Sequence, residues 1–142
     1  MCLQNVTTYI AEKNIRIYKV CVYTKGNYYP LFNTVDGKAA TYLRATEAPF
    51  VKGQTHEASG ASYFLLPGFL GGGFHGFSSY TLAEKYRRIL FKVRLTRLVI
   101  PIKIFYIPQG TTFYKGVIRE TVYGAGLPCV SSTRIHFGVL KS

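Results

Sequence analysis

The sequence of residues 68–88 reads Gly-Phe-Leu-Gly-Gly-Gly-Phe-His-Gly-Phe-Ser-Ser-Tyr-Thr-Leu-Ala-Glu-Lys-Tyr-Arg-Arg, and it decides how we interpret the rest of the chain. Its first half is typical of a glycine-rich turn, because the glycines at 71–73 have no fixed φ preference. This turn presents His75 between two phenylalanines. Its second half predicts the main helix, since Thr81-Leu82-Ala83-Glu84 matches a capping box. We expect the helix to run from about Leu82 to Leu90.

The segments on either side of this helix have the alternation and composition of β-strands. In residues 15–24, Ile17 and Lys19 share one parity, while Arg16 and Tyr18 share the other. Residues 111–123 predict a strand with Gly116 as a bulge. Further strands are predicted at residues 28–32, 38–44, 61–66, 92–100, 102–107 and 129–140.

Strands before and after one helix predict an α+β fold. We expect a mostly antiparallel, curved sheet or partial barrel that carries one main helix, because the elements do not alternate as in a doubly wound fold. The 142 residues fit a single domain spanning 1–142. Residues 1–14 are predicted to be a flexible, polar lead-in. Residues 46–60 are predicted to be a long loop, because Pro49, Gly53 and Gly60 interrupt the strand pattern.

The charge balance favours an anionic partner. The chain has 18 Lys and Arg against 6 Asp and Glu, which gives a formal net charge of +12. Such a surplus attracts a nucleotide, a nucleic acid or an acidic host protein. The alternative is that the charge only keeps a basic protein in solution.

The same composition argues against several classes of protein. The three cysteines are odd in number and lack CxxC spacing, so the sequence predicts neither a disulfide framework nor a metal site. No signal peptide and no apolar run of about 20 residues is present, so we expect a cytoplasmic protein without a membrane partner. For a viral protein, this would be the host cytoplasm.

Basic residues are concentrated between positions 85 and 103, where tyrosines are close by. Guanidinium groups bind phosphates in a forked geometry, and tyrosine rings stack on bases. The alternative is an ordinary solvated rim above a sheet. The predicted ligand-binding residues are Arg87, Arg88, Arg94, Arg97, Gly72, Gly73 and His75.

His75 is the candidate catalytic residue, because a histidine on a glycine-flanked turn can act as a general base. The alternative is a structural histidine, since Phe74 and Phe77 place the turn in the core. The sequence has no P-loop, no G-x-S-x-G and no HExxH motif, so we predict no cofactor.

Four short motifs resemble a set of small uncharacterised domains that are common in bacteriophages and prophages. They are Tyr18-Lys19-Val20 in the first strong strand, Tyr28-Tyr29-Pro30-Leu31-Phe32 after it, Gly73-Phe74-His75 before the helix, and Ile107-Pro108-Gln109-Gly110 late in the chain. This resemblance implies a viral or mobile-element setting, where small basic proteins bind host factors, nucleic acids or immune-signalling nucleotides. It implies no activity for individual residues.

Three functions remain open from the sequence. The favoured one is a non-catalytic binding protein of phage type that holds a nucleotide or nucleic acid, as in counter-defence. The second is a virion component or protein-docking inhibitor, which could form a homo-oligomer. The third is an enzyme that processes a nucleotide or ribosyl group with His75 as the base.

Overall fold

We describe the protein from a computed structural model of the chain. The structure describes residues 2–24, 26–30, 34–35, 38–39, 49–57, 63–66, 69–92, 100–118 and 126–141. Their strands and helix, in chain order, are β1 (Cys2–Ile10), β2 (Ile15–Thr24), β3 (Asn27–Pro30), β4 (Thr34–Val35), β5 (Lys38–Ala39), β6 (Thr55–Glu57), β7 (Tyr63–Leu66), β8 (Phe69–Gly72), β9 (Phe74–Gly76), α1 (Tyr80–Lys92), β10 (Ile102–Ile107), β11 (Thr112–Ile118), β12 (Pro128–Ser132) and β13 (Arg134–Phe137).

The strands form two main antiparallel sheets. The six-stranded sheet has the order β7-β8-β1-β11-β12-β9, and the five-stranded sheet has the order β3-β2-β10-β13-β6. The sheets meet where Tyr18 and Phe77 exchange two backbone hydrogen bonds of 2.8 Å. The result is a curled, half-barrel arrangement of mostly antiparallel strands, which confirms the predicted sheet type. A separate pair, β4 with β5, completes the described strands.

Strand β2 contributes to two apolar cores because its side chains alternate between opposite faces. Ile17 and Cys21 point into a core that includes Phe105 and Phe137. Val20 and Val22 point into a second core, which packs against helix α1. The parity predicted for residues 15–24 is therefore confirmed.

Helix α1 begins two residues earlier than predicted, and its cap is a different residue. The Ser79 hydroxyl accepts a hydrogen bond from the backbone amide of Leu82 at 3.2 Å, and the Ser79 carbonyl accepts from Ala83 at 3.2 Å. These bonds identify Ser79 as the N-cap. The capping box predicted at Thr81 is wrong, because Glu84 instead pairs with arginines one turn later.

The glycine-rich run is mostly strand rather than turn. Gly71 and Gly72 lie in β8, and the chain bends at Gly73, whose φ of +78° suits glycine. The expected lead-in of residues 1–14 contains strand β1, which pairs with both β8 and β11. Part of the predicted 46–60 loop forms β6, while residues 46–48 and 58–60 lie outside the described residues.

Two further strand predictions are corrected by the sheet register. The bulge near Gly116 lies on the opposite strand, between Gln4 and Thr7. A Cβ at Gly116 would lie 2.7 Å from the Gln4 carbonyl oxygen, so close backbone approach explains this glycine. The strand predicted at 129–140 is two strands, because β12 and β13 belong to different sheets.

Other predicted strands fall partly outside the described residues. Residues 31–32, 40–44, 61–62, 93–99 and 119–123 lie there. Within the described part of the chain, no helix is both long and apolar enough to cross a membrane.

Candidate functional site

The structure describes two of the four predicted ligand-binding arginines, and both lie on helix α1. On α1, Arg87 Nη1 lies 3.2 Å from Glu84 Oε2, and Arg88 Nε lies 3.5 Å from Glu84 Oε1. One carboxylate therefore neutralises part of the charge of both arginines. Arg94 and Arg97 lie outside the described residues. Of the predicted glycines, Gly72 lies in β8 and Gly73 lies at the following bend.

His75 lies in β9, directly opposite Ser131 of β12. Burial lowers the pKa of His75 well below its ordinary 6.5, and the nearby Lys19 ammonium lowers it further. The Nε2 atom is buried and has no hydrogen-bond partner. The ring is therefore a neutral imidazole with one unused acceptor. This state is compatible with a structural histidine and with a general base, so the geometry leaves both interpretations of His75 in place.

Lys19 is a buried cation that the sequence analysis placed on the apolar face without assigning it a role. It is 4% exposed, and its Nζ donates a 2.8 Å hydrogen bond to the backbone carbonyl of His75. The Phe50 ring centroid lies 5.8 Å from the same nitrogen. Burial lowers the pKa of Lys19 below its ordinary 10.5. The strand alternation was the signal that could have identified this lysine as inward-facing.

Cys21 and Cys129 are not reactive nucleophiles. Cys21 and Cys129 are buried free thiols, and burial raises the pKa of each to about 12. A thiol in this state is protonated at neutral pH, whereas nucleophilic attack and metal binding need the thiolate. Among the described residues, no group of three or more His, Cys, Asp or Glu side chains is placed to hold a metal ion.

The face of the five-stranded sheet that carries Val20 and Val22 and packs against helix α1 also brings cations and aromatic rings together. Strand pairing places Arg16, Tyr106, His136 and Thr55 in one row across β2, β10, β13 and β6. Side chains of paired residues in antiparallel strands point to the same side. Tyr18 lies two residues beyond Arg16 on this face. We name this surface the tyrosine strip and define it as Arg16, Tyr18, Tyr80, Tyr106 and His136.

Arg16 is held in place by the neighbouring tyrosines. Its Nε donates a 3.0 Å hydrogen bond to the Tyr106 hydroxyl, and its guanidinium lies 5.8 Å from the centroid of the same ring. Hydrogen bonds with Tyr106 and Tyr18 raise the pKa of Arg16. The side chain is exposed, and no carboxylate pairs with it in the described residues. Arg16 therefore presents a permanent, accessible positive charge.

Helix α1 extends the tyrosine strip beyond the sheet. The Tyr80 ring contacts the Tyr18 ring edge to face, with centroids 6.1 Å apart, and Tyr80 is 55% exposed. Residues Tyr80, Glu84 and Arg88 lie on one side of the helix, because they are spaced four apart. The Arg88 side chain is 75% exposed despite its ion pair. Arg88 thus adds a second exposed cation, on the side of the helix that carries Tyr80.

The opposite edge of the same face has a second ion pair. Arg134 Nε lies 3.2 Å from Glu57 Oε1, and both side chains are largely exposed. His136 lies between this pair and Tyr106 and shares a 3.0 Å hydrogen bond with the Thr55 hydroxyl. Surface ion pairs of this kind contribute about 0–1 kcal/mol, so an anionic ligand can displace the carboxylate at small cost.

The sequence contained part of the signal for the tyrosine strip. Arg16 and Tyr18 share one parity in the clearest strand, which predicts that they share a face. The approach of Tyr80 to Tyr18 depends on the backbone pairing of Tyr18 with Phe77, which joins positions far apart in the chain. Local sequence patterns do not reveal such a contact.

Comparison of the chain with protein-family models, with curated proteins and with solved structures finds no match. The function must therefore be argued from the residues of the molecule itself.

Proposed function

We propose that this chain is a non-catalytic protein that binds single-stranded nucleic acid along the tyrosine strip. The observation that carries the proposal is the contact of exposed Tyr80 with Tyr18, next to a guanidinium that has no carboxylate partner among the described residues. The resemblance to small phage domains supports a role for this binding in a viral or mobile-element setting. The proposal keeps the anionic partner expected from the net charge of +12.

The chemistry of the strip suits bases and phosphates together. Aromatic side chains stack on bases of any sequence, with a contribution of about 1–3 kcal/mol per base. Arg16, two residues before Tyr18 on the strand, and Arg88, two turns along the helix from Tyr80, can bind phosphate oxygens in a forked geometry. Tyr106 is buried, so its role is to orient Arg16 rather than to stack.

A single strand fits this surface better than a duplex does. Stacking on Tyr80 and Tyr18 requires bases whose faces are free, and these faces are covered in a double helix. We therefore expect weak dependence on base sequence and strong dependence on salt.

The test is the affinity of purified protein for a fluorescent single-stranded oligonucleotide at low salt. We expect Tyr80→Ala to weaken binding by about tenfold, because one stacking contact is lost. Arg16→Gln should weaken binding and also reduce the slope of log affinity against log salt by about 0.7, because one phosphate contact is lost.

Two matched control variants each remove one tyrosine ring or one positive charge from the six-stranded sheet, away from the tyrosine strip. Tyr9 is 40% exposed, and Lys115 is an exposed cation beside it, so Tyr9→Ala and Lys115→Gln preserve the strip. Both controls should bind nucleic acid as the unmodified protein does. Equal losses for the strip variants and the controls would mean that binding follows net charge alone, and the proposal would fail.

A further inference from the structure

Strand β1 has an edge that is only half covered by its neighbour. Strand β8 pairs with Cys2, Leu3 and Gln4, and the register on the other side changes after Gln4 at the bulge. Residues Thr7–Ile10 pair with β11 on one side. In the described part of the chain, no strand pairs with their other side. We call residues Thr7–Ile10 the free edge.

The direction of the backbone groups on the free edge follows from the existing hydrogen bonds. The amide of Ala11 donates to the Thr111 carbonyl at 2.9 Å, so the backbone N–H of Ala11 points toward the chain of β11. Alternate residues of an antiparallel strand point to the same neighbour. Thr7 and Tyr9 therefore bond to β11 as well, and the N–H and C=O groups of Thr8 and Ile10 point away from it.

The free edge lacks the features that usually prevent strand addition. Natural proteins protect exposed edges with lysine, proline or a cover of other chain. Residues 2–11 contain no charged residue, no proline and no glycine, although the whole chain carries a net charge of +12. The side chains of Thr7–Ile10 are exposed, and Ile10 is 67% exposed. This edge is suited to accept another strand.

A positive charge lies close to the free edge, on the neighbouring strand β11. Lys115 pairs with Thr7 in the register, and its Nζ lies 5.0 Å from the centroid of the Tyr9 ring. An added strand would lie about 4.8 Å from β1 and about twice that distance from β11, a span that the long side chains of a glutamate and of Lys115 can bridge. We propose that the free edge binds an extended acidic peptide of a partner protein, which adds to the six-stranded sheet as an antiparallel strand.

A second copy of this chain is a poorer occupant. Two copies would each bring a net charge of +12, and this repulsion opposes association at low salt. An acidic peptide gains from the same field. This surface lies on the other sheet from the tyrosine strip, so the inference does not depend on the proposed function.

The experiment uses short, end-blocked peptides that alternate valine with glutamate, or valine with lysine. We expect the glutamate peptide to bind and to slow hydrogen exchange of the Thr8 and Ile10 amides, measured by NMR on the full chain. Thr8→Pro removes an outward amide without affecting the bonds to β11, and it should weaken binding about tenfold. The matched control Thr8→Ala keeps that amide and should bind normally.

Lys115→Gln provides a second variant in case Thr8→Pro does not fold. It should weaken the glutamate peptide several-fold, while Tyr80→Ala on the tyrosine strip should leave peptide binding unchanged. The inference is overturned if the lysine peptide binds equally well, or if the Thr8 and Ile10 amides stay unprotected. Protection that rises with protein concentration in the absence of peptide would also overturn it, because the occupant would be a second copy.

Discussion

At the scale of single residues, Lys19 is in an unfavourable environment for a charged side chain, because its ammonium group is buried. Its described partners are one backbone carbonyl and the ring of Phe50. Transfer of a charge into an apolar interior is costly unless the charge is paired or lost, so burial lowers the pKa of this lysine. The folded protein therefore holds this proton less tightly than the unfolded chain does.

This difference predicts a stability that rises with pH. Between the lowered pKa of folded Lys19 and the ordinary 10.5, the unfolded chain binds more protons, so the free energy of unfolding increases by up to about 1.4 kcal/mol per pH unit. We expect Lys19→Met to be more stable than the unmodified protein at neutral pH, and this advantage should shrink as the pH approaches 10.5. Urea unfolding of both proteins across this range measures the effect. A difference that does not change with pH would contradict a buried, titrating Lys19.

Single residues also show where sequence analysis succeeds. The alternation of residues 15–24 correctly placed Lys19 beside Ile17 and Cys21, because strand parity is a local property. The reason for Gly116 could not be found in this way. The Gln4 carbonyl that excludes a side chain there belongs to a strand from the other end of the chain.

At the scale of elements, the first turn of helix α1 is stabilised by its N-cap, Ser79, and two substitutions can test this role. Ser79→Ala removes the hydroxyl that accepts from Leu82 and should lower the free energy of unfolding by about 1 kcal/mol. Thr81→Ala is the control, because Thr81 is exposed in the first turn and alanine favours helix. Thermal or urea unfolding compares them. If Thr81→Ala lowered the free energy of unfolding more than Ser79→Ala does, the result would contradict Ser79 as the N-cap and support the capping box predicted at Thr81.

The elements also show why parts of the fold could not be predicted. The existence of the helix and of β2 and β10 follows from local pattern. Strand β1 was missed, since Gln4, Thr7 and Thr8 look polar and the strand is stabilised by pairing with β8 and β11. The change of sheet between β12 and β13 was missed because no glycine or proline marks Thr133, where the hydrogen-bond partners change.

At the scale of the whole molecule, two surfaces differ in their charge and in their content of aromatic side chains. The tyrosine strip combines the exposed guanidinium of Arg16 with the exposed ring of Tyr80 and the half-buried ring of Tyr18, whereas the free edge of β1 is uncharged and offers backbone groups. The sequence predicted an anionic partner from the net charge alone. It placed the contact among Arg87, Arg88, Arg94 and Arg97, because clustering along the chain was the available guide. Pairing between the sheets also brings Tyr18 to the helix that carries Arg88.

The most direct test of the central claim is photochemical crosslinking of the protein to a single-stranded oligonucleotide that contains iodouracil, followed by mass spectrometry of the crosslinked peptides. Stacked aromatic residues are the expected sites, so the tyrosine strip predicts crosslinks at Tyr80 and Tyr18. Tyr9 and Tyr23 are internal controls, since they are 40% and 38% exposed and lie away from the strip. Crosslinks confined to Tyr9 or Tyr23, or spread equally over all exposed tyrosines, would contradict binding along the strip.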